Sequence, residues 1–160
     1  MSNPFKVACI QTNSGSDVTA NLATAIDLAR QASAAGADLI ALPETVNIMA
    51  PDRAFLKANI QPEEGNQALL AFADLARETG AWVLIGSILV DVPGSEKMAN
   101  RSLLLDADGA VRARYDKVHM FDVNLGGAET HRESNHYNAG GESVLAETPW
   151  APLSCSAATP

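Results

Sequence analysis

The sequence predicts a single α/β domain, and three observations carry that prediction. Short apolar runs rich in β-branched residues alternate with segments whose apolar residues recur every three or four positions, the pattern of strands alternating with amphipathic helices. An Asp-Gly pair between two strand-like runs marks a tight hairpin. No repeat and no break in composition divides the 160 residues, 47% of which are hydrophobic and 19% charged. Residues 1–160 therefore read as one domain, able to bury about 70% of its unfolded surface without a disulfide or metal staple.

Residues 5–12 (FKVACIQT), bounded by Pro4 and the turn-rich stretch 13–16, read as a first strand buried on both faces, with Cys9 as core packing. Leu22, Ala25, Ile26, Ala29 and Ala32 then fall on one helical face over residues 18–35, and Gly36 sits where a helix ends. Residues 38–42 (DLIAL) form a second strand, stopped by Pro43, which has no amide hydrogen for a ladder. Leu69, Leu70, Phe72, Ala73, Leu75 and Ala76 mark a second helix over residues 66–79, closed by Gly80, and residues 81–90 follow as strand. Residues 101–105 and 111–115 flank Asp108-Gly109, whose preference for positive backbone angles predicts the hairpin. Residues 122–142 are polar and glycine-rich and read as a long surface loop, and 144–147 supply one more strand. Residues 151–160 form an atypical tail with two prolines and no amphipathic period.

Nineteen acidic against eleven basic residues give a formal charge of -8 and a pI near 4.7, a field that repels phosphate backbones and anionic lipid. Nucleic acid and membrane are thus excluded as expected partners; the local group Arg112, Arg114 and Lys117 is interrupted by Asp116 and reads as a mixed solvated edge. Two distant cysteines, Cys9 and Cys155, without CxxC spacing, indicate neither a disulfide framework nor a zinc site and fit a reducing cytoplasm. The N-terminus lacks the basic-then-apolar pattern of a signal peptide, and the longest apolar stretch, 81–90, is half a membrane span.

A few residues stand where chemistry is possible. Glu44 follows a buried strand at the edge where open α/β sheets place ligands, and is either a partly desolvated base or a loop carboxylate in water. Lys117 ends another strand; it suits a developing oxyanion, the alternative being a surface lysine paired with Asp116. Glu133, between Arg132 and Ser134, could position a lysine or a substrate amide, although alone it signals nothing. His119, His131 and His136 lack HExxH spacing and a shared helix face, so they read as surface or loop histidines and no metal is expected. Cys155 lies where a thiol near a base and a lysine would become a thiolate nucleophile.

Four segments taken together resemble the nitrilase, or carbon-nitrogen hydrolase, superfamily from Lys6 to about Trp150. They are Val7-Ala8-Cys9-Ile10-Gln11, Gly36-Ala37-Asp38-Leu39-Ile40-Ala41-Leu42-Pro43-Glu44, Asn100-Arg101-Ser102, and Tyr115-Asp116-Lys117-Val118-His119-Met120-Phe121-Asp122. The resemblance implies an α-β-β-α sandwich of which this chain is the N-terminal half, and a truncated product whose family pattern is lost after Trp150. It implies Glu44 as general base, Lys117 as oxyanion stabiliser, Glu133 as an additional loop glutamate and Cys155 as nucleophile, with no cofactor or metal. Cys155 falls about three residues early in that pattern, about 10 Å along a strand, and Ser156-Ala157 replaces the family's Tyr-Asp. The loop containing Glu133 is similar to the Nit-type amidase branch. That likeness implies a small carboxylic acid amide as substrate, an ω-amide or a deaminated-glutathione-like compound, a substrate carboxylate held by Arg132, and a homo-oligomer. Two readings stand beside this one: a catalytically inactive fragment that associates through an exposed sheet face, and a stand-alone α/β small-molecule binder, which lacks a glycine-rich phosphate loop after strand one.

Overall fold

The computed structural model describes residues 4–124 and 130–155. Strands β1 (Val7–Cys9), β2 (Leu39–Ala41), β3 (Trp82–Asp91), β4 (Met98–Leu105) and β5 (Val111–Asp116) form one sheet in that spatial order. The first three run parallel, and β3, β4 and β5 are antiparallel neighbours. This mixed α/β architecture agrees with the predicted fold class.

Helices α1 (Val18–Ala34) and α3 (Gln67–Thr79) lie on one face of the sheet. Asp17 caps α1 through the amide of Ala20 at 3.0 Å, and Asn66 caps α3 through the amides of Ala68 and Leu69. Ala25 and Ala29 of α1 and Phe72 and Ala76 of α3 are fully buried against Ile40, Val83, Ile85 and Leu103. Small residues on α1 let it approach closely, while Phe72 fills the space under α3. A bidentate Arg30–Glu78 pair joins the two helices on the solvent side.

A third helix, α2 (Arg53–Asn59), is absent from the pattern expected of the sequence. Its seven residues are too few for amphipathic periodicity to declare it. Asp52 caps it, and Leu56 and Ile60 close a second small core with Ile48, Leu89 and Met98.

The opposite face of the sheet is covered by a hairpin of β8 (Val144–Ala146) and β9 (Leu153–Cys155). Ala146 packs against Leu39, Leu104 and Ala113, and at the hairpin's tip Trp150 stacks on Phe5 at 4.6 Å and meets Trp82 edge-on at 5.8 Å. The strand expected at 144–147 is therefore present, and part of the atypical tail extends it as β9. The cover stops short of β1. Val7 and Cys9 share this face with Leu39 but are exposed, which corrects the expectation of a strand buried on both sides and of Cys9 as core. Among the described residues β1 is an edge strand of the sheet with β2 as its neighbour, and the hairpin does not reach over its outer face.

The long loop expected at 122–142 also contains order. β6 (Asp122–Asn124) pairs with β7 (Thr130–Arg132), followed by a 3₁₀ turn at Glu133–Asn135. Its Gly126 and Gly127 lie outside the described residues. Among the described residues, no helix is long and apolar enough to cross a membrane.

Candidate active site

The site is built where β2 leaves the sheet. Leu42 still donates to the carbonyl of Leu84 at 2.8 Å, and Pro43 accepts from the amide of Ser87 at 3.2 Å. Between those contacts β3 bulges, its register with β4 shifting from Ile85 to Ile88. Gly86 lies in the bulge because the chains almost touch there: a Cβ would stand 2.1 Å from the Leu42 carbonyl oxygen. The hydroxyl of Ser102 holds the Gly86 carbonyl from the other side. The chain then turns through Thr45, a non-glycine residue at φ 51°, whose amide donates to Ser87 Oγ at 2.8 Å. This strained turn, fixed by the bulge, presents Glu44 at the sheet edge.

Three charged side chains meet at that edge. Glu44 Oε1 accepts from Lys117 Nζ at 3.2 Å, and Lys117 Nζ is 2.9 Å from Glu133 Oε2. Asn100, buried in β4, donates from Nδ2 to the same Glu44 oxygen at 2.6 Å. Glu133 Oε2 is fixed in turn by the amide of Phe121 at 2.8 Å. The lysine and Glu133 side chains are 17% and 19% exposed and that of Glu44 is 57% exposed, so the open member of the trio is the carboxylate. Burial is the largest single influence on Lys117 and pushes its ammonium pKa down, but Glu133 and Glu44 together outweigh it and leave the pKa above the ordinary lysine value. Lys117 is accordingly a fixed cation with one ammonium hydrogen to spare after its two carboxylates.

The backbone behind the trio is braced. The Lys117 amide donates to the Asn100 carbonyl at 3.0 Å, and the next residue pair, Arg101 and Asp116, is bidentate at 2.7 and 2.8 Å. Arg101 also reaches Glu63, which takes Arg114 as well. Asp116 is therefore the partner of Arg101, and Lys117 belongs to Glu44 and Glu133 rather than to its sequence neighbour. Gly140 seals the end of β5: its amide donates to the Lys117 carbonyl, and a Cβ there would lie 2.2 Å from the Asp116 oxygen.

A cleft of about 520 Å³ opens beside the trio, with Glu44, Thr45, Asn100, Glu133 and Tyr137 on its walls and Arg53 of α2 also lining it. Burial raises the Tyr137 phenol pKa above its usual value, with the charges of Glu133 and Glu44 adding to the effect.

Of the residues singled out from the sequence, Glu44, Lys117 and Glu133 are brought together. Arg132 is not: it is exposed on β7 and lines a smaller hollow with Asp122, Val123 and Asn124. Cys155 is the last residue of β9, paired with Val144. That strand runs antiparallel to β8, so its register sets Cys155 beside Val144. His119 is exposed, and His136 lines the cleft. Asn100 and Arg53 were not assigned roles from sequence. Asn100 carried a signal as the first residue of the family-like segment Asn100-Arg101-Ser102, but its partner Glu44 is known only once the chain is folded.

Residues 6–157 match the family described as carbon-nitrogen hydrolase. The chain is 30% identical over 145 residues to the deaminated glutathione amidase of Yersinia enterocolitica, covering 89% of this chain and 50% of that protein. It is 30% identical over 147 residues to human omega-amidase NIT2, covering 91% and 51%. The crystal structure of the C. elegans NitFhit protein superposes with a TM-score of 0.81 at 24% identity, over 92% of this chain and 36% of that one. The chain thus spans about half the length of the curated relatives it matches.

Proposed function

The chain belongs to the carbon-nitrogen hydrolase family, and from that premise we propose that it is an amidase hydrolysing a small carboxylic acid amide through a cysteine thioester. The observation that carries the reading is the single ammonium of Lys117 held between Glu44 and Glu133, both of which line a cleft. Glu44 Oε1 is occupied by Asn100 and Lys117, while Oε2 has no hydrogen bond among the described residues and is the oxygen placed to take a proton.

In this reaction the Cys155 thiol gives its proton to Glu44, and the thiolate attacks the amide carbonyl carbon. The electron pair of the C=O bond moves to oxygen, where the spare N–H of Lys117 meets the charge. Glu44 returns the proton to nitrogen as the C–N bond breaks, and ammonia leaves a thioester. Glu44 then draws a proton from water, the hydroxide adds to the thioester, and the acid departs as the thiol is restored. Glu133 keeps the ammonium charged and in place throughout. The substrates named for the relatives, deaminated glutathione and ω-amides, make a small carboxylic acid amide the class to assay, in a homo-oligomer and a cytoplasmic setting.

Ammonia release from a panel of monoamides, compared with Cys155→Ala and Glu44→Gln, tests the reading. Turnover abolished in both variants supports it, and turnover retained in Cys155→Ala overturns the thioester. A second reading is favoured by the exposure of Val7 and Cys9 on the sheet face opposite the helices: a chain that associates through that face without turnover. Concentration-dependent dimers with no ammonia from any amide would select it.

A further inference from the structure

We infer that Asn100 is a positioning residue of the site: its side-chain amide holds Glu44 by one oxygen and keeps Glu44 and Lys117 from closing on each other as a full ion pair. The inference rests on the amidase reading and deepens it, since that reaction needs a base and an ammonium side by side, each with a bonding position left free.

A carboxylate beside an ammonium tends to direct its oxygens at that ammonium, which would silence both groups. Glu44 and Lys117 stop short of this. Their one hydrogen bond, from Lys117 Nζ to Glu44 Oε1, is 3.2 Å long, against 2.9 Å from the same ammonium to Glu133. Asn100 Nδ2 reaches Oε1 at 2.6 Å, so two donors share one oxygen and the shorter bond belongs to the asparagine. Glu44 Oε2 and the third ammonium hydrogen are thereby left for the reaction.

Asn100 is held firmly enough to do this. It lies in β4 opposite Leu89 of β3 and is buried, and its own carbonyl takes the amide of Lys117 at 3.0 Å. The next two residues grip other parts of the site, Arg101 through Asp116 and Ser102 through the Gly86 carbonyl. One residue therefore fixes the carboxylate through its side chain and the lysine backbone through its main chain.

The other end of the Asn100 amide shows what this arrangement is for. The buried asparagines Asn47 and Asn66 use both ends: Asn47 bonds the amide and the carbonyl of Leu89, and Asn66 caps α3 while donating to the Gln61 carbonyl. Asn100 instead leaves Oδ1 buried without a hydrogen-bond partner among the described residues. Turning the amide over would set Oδ1 against the Glu44 carboxylate, so the orphan acceptor follows from keeping the donor there. A buried polar atom left unpaired for the sake of one contact places that contact in the site's chemistry and not in the fold's stability.

Ammonia release, melting temperature and the NMR titration of the Lys117 side chain are measured on the full chain, Asn100→Leu and Asn100→Asp. Asn100→Leu removes the donor together with the orphan acceptor and leaves the half-exposed Glu44 to Lys117 and solvent. It should lower kcat at least about tenfold and change KM less than about threefold, while the melting temperature holds or rises. Its Lys117 titration should move upward, because Glu44 then closes on the ammonium unopposed. Asn100→Asp keeps the shape, and a protonated carboxyl donates to Glu44 as the amide does, so its kcat relative to the parent chain should recover as pH falls. Parental kcat in Asn100→Leu overturns this inference alone, as does kcat lost together with a lowered melting temperature and a Lys117 titration moved down. If Asn100→Leu does not fold, a kcat ratio for Asn100→Asp that is constant with pH overturns it. No ammonia from the parent chain overturns the amidase reading; the Lys117 titration then still decides the role of Asn100, and an unmoved or lowered titration overturns that as well.

Discussion

Lys117 is a partly buried ammonium held in its charged form by two carboxylates, and this sets how the site responds to base. Its pKa is raised in the folded chain, so its contribution to stability is complete below the ordinary lysine value of about 10.4 and is lost as pH climbs through the folded value. Removing the Glu133 charge leaves the lowering effect of burial less opposed. Glu133→Gln should therefore shift the Lys117 titration downward, followed by NMR at its side-chain carbons, and weaken the alkaline loss of stability seen in melts above about pH 10. Glu44 and Lys117 were legible in the sequence because each directly follows a readable strand within a family-like segment. Arg53 was not legible, since nothing local distinguishes it from a surface arginine. Its place on the cleft wall appears only in the folded chain.

At the scale of elements, two close approaches fix the site. Gly86 lets the β3 bulge touch the backbone before Glu44, and Gly140 lets the following chain touch Asp116 beside Lys117. Gly140→Ala should destabilise the chain by about 1–3 kcal/mol, because the clash is with backbone rather than a mobile side chain. Gly141→Ala, where the added methyl meets nothing within 4 Å, should stay within about 0.5 kcal/mol. Chemical denaturation of the pair checks both. The brace of Arg101, Arg114 and Glu63 adds an acid response. Burial is the largest influence on Glu63 and raises its pKa, but the hydrogen bonds and charges of the two arginines prevail and lower it. Its stabilisation is present above the ordinary carboxylate pKa and is lost as pH falls through the folded value, so Glu63→Gln should cost about 1–3 kcal/mol near neutrality and flatten the acid limb. The helices α1 and α3 were readable because their periods run for several turns between clear caps. α2, β6 and β7 were not, because three to seven residues carry too little pattern and are held by tertiary contacts.

Across the whole molecule, the two sheet faces are finished unequally. Two helices cover one, while a small hairpin covers part of the other and leaves β1 bare. A short apolar run does not reveal whether both of its faces are covered, which is why Cys9 reads as core in the sequence and is exposed in the fold. In a Cys155→Ser background, Cys9 should react readily with a thiol reagent under native conditions, and protection that grows with protein concentration would identify this face as the contact between copies. Trp150→Ala, which removes the packing over Phe5 and Trp82, should cost about 2–4 kcal/mol by calorimetry. The chain's two tryptophans are this same pair, Trp82 and Trp150. Tryptophan fluorescence, excited selectively over Tyr115 and Tyr137, therefore observes the hairpin side of the sheet. Quenching and spectral shift will follow the hairpin lifting from the sheet, while melting of α1 and α3 stays dark until that contact is lost, so the chain carries a built-in optical reporter for one half of its own fold.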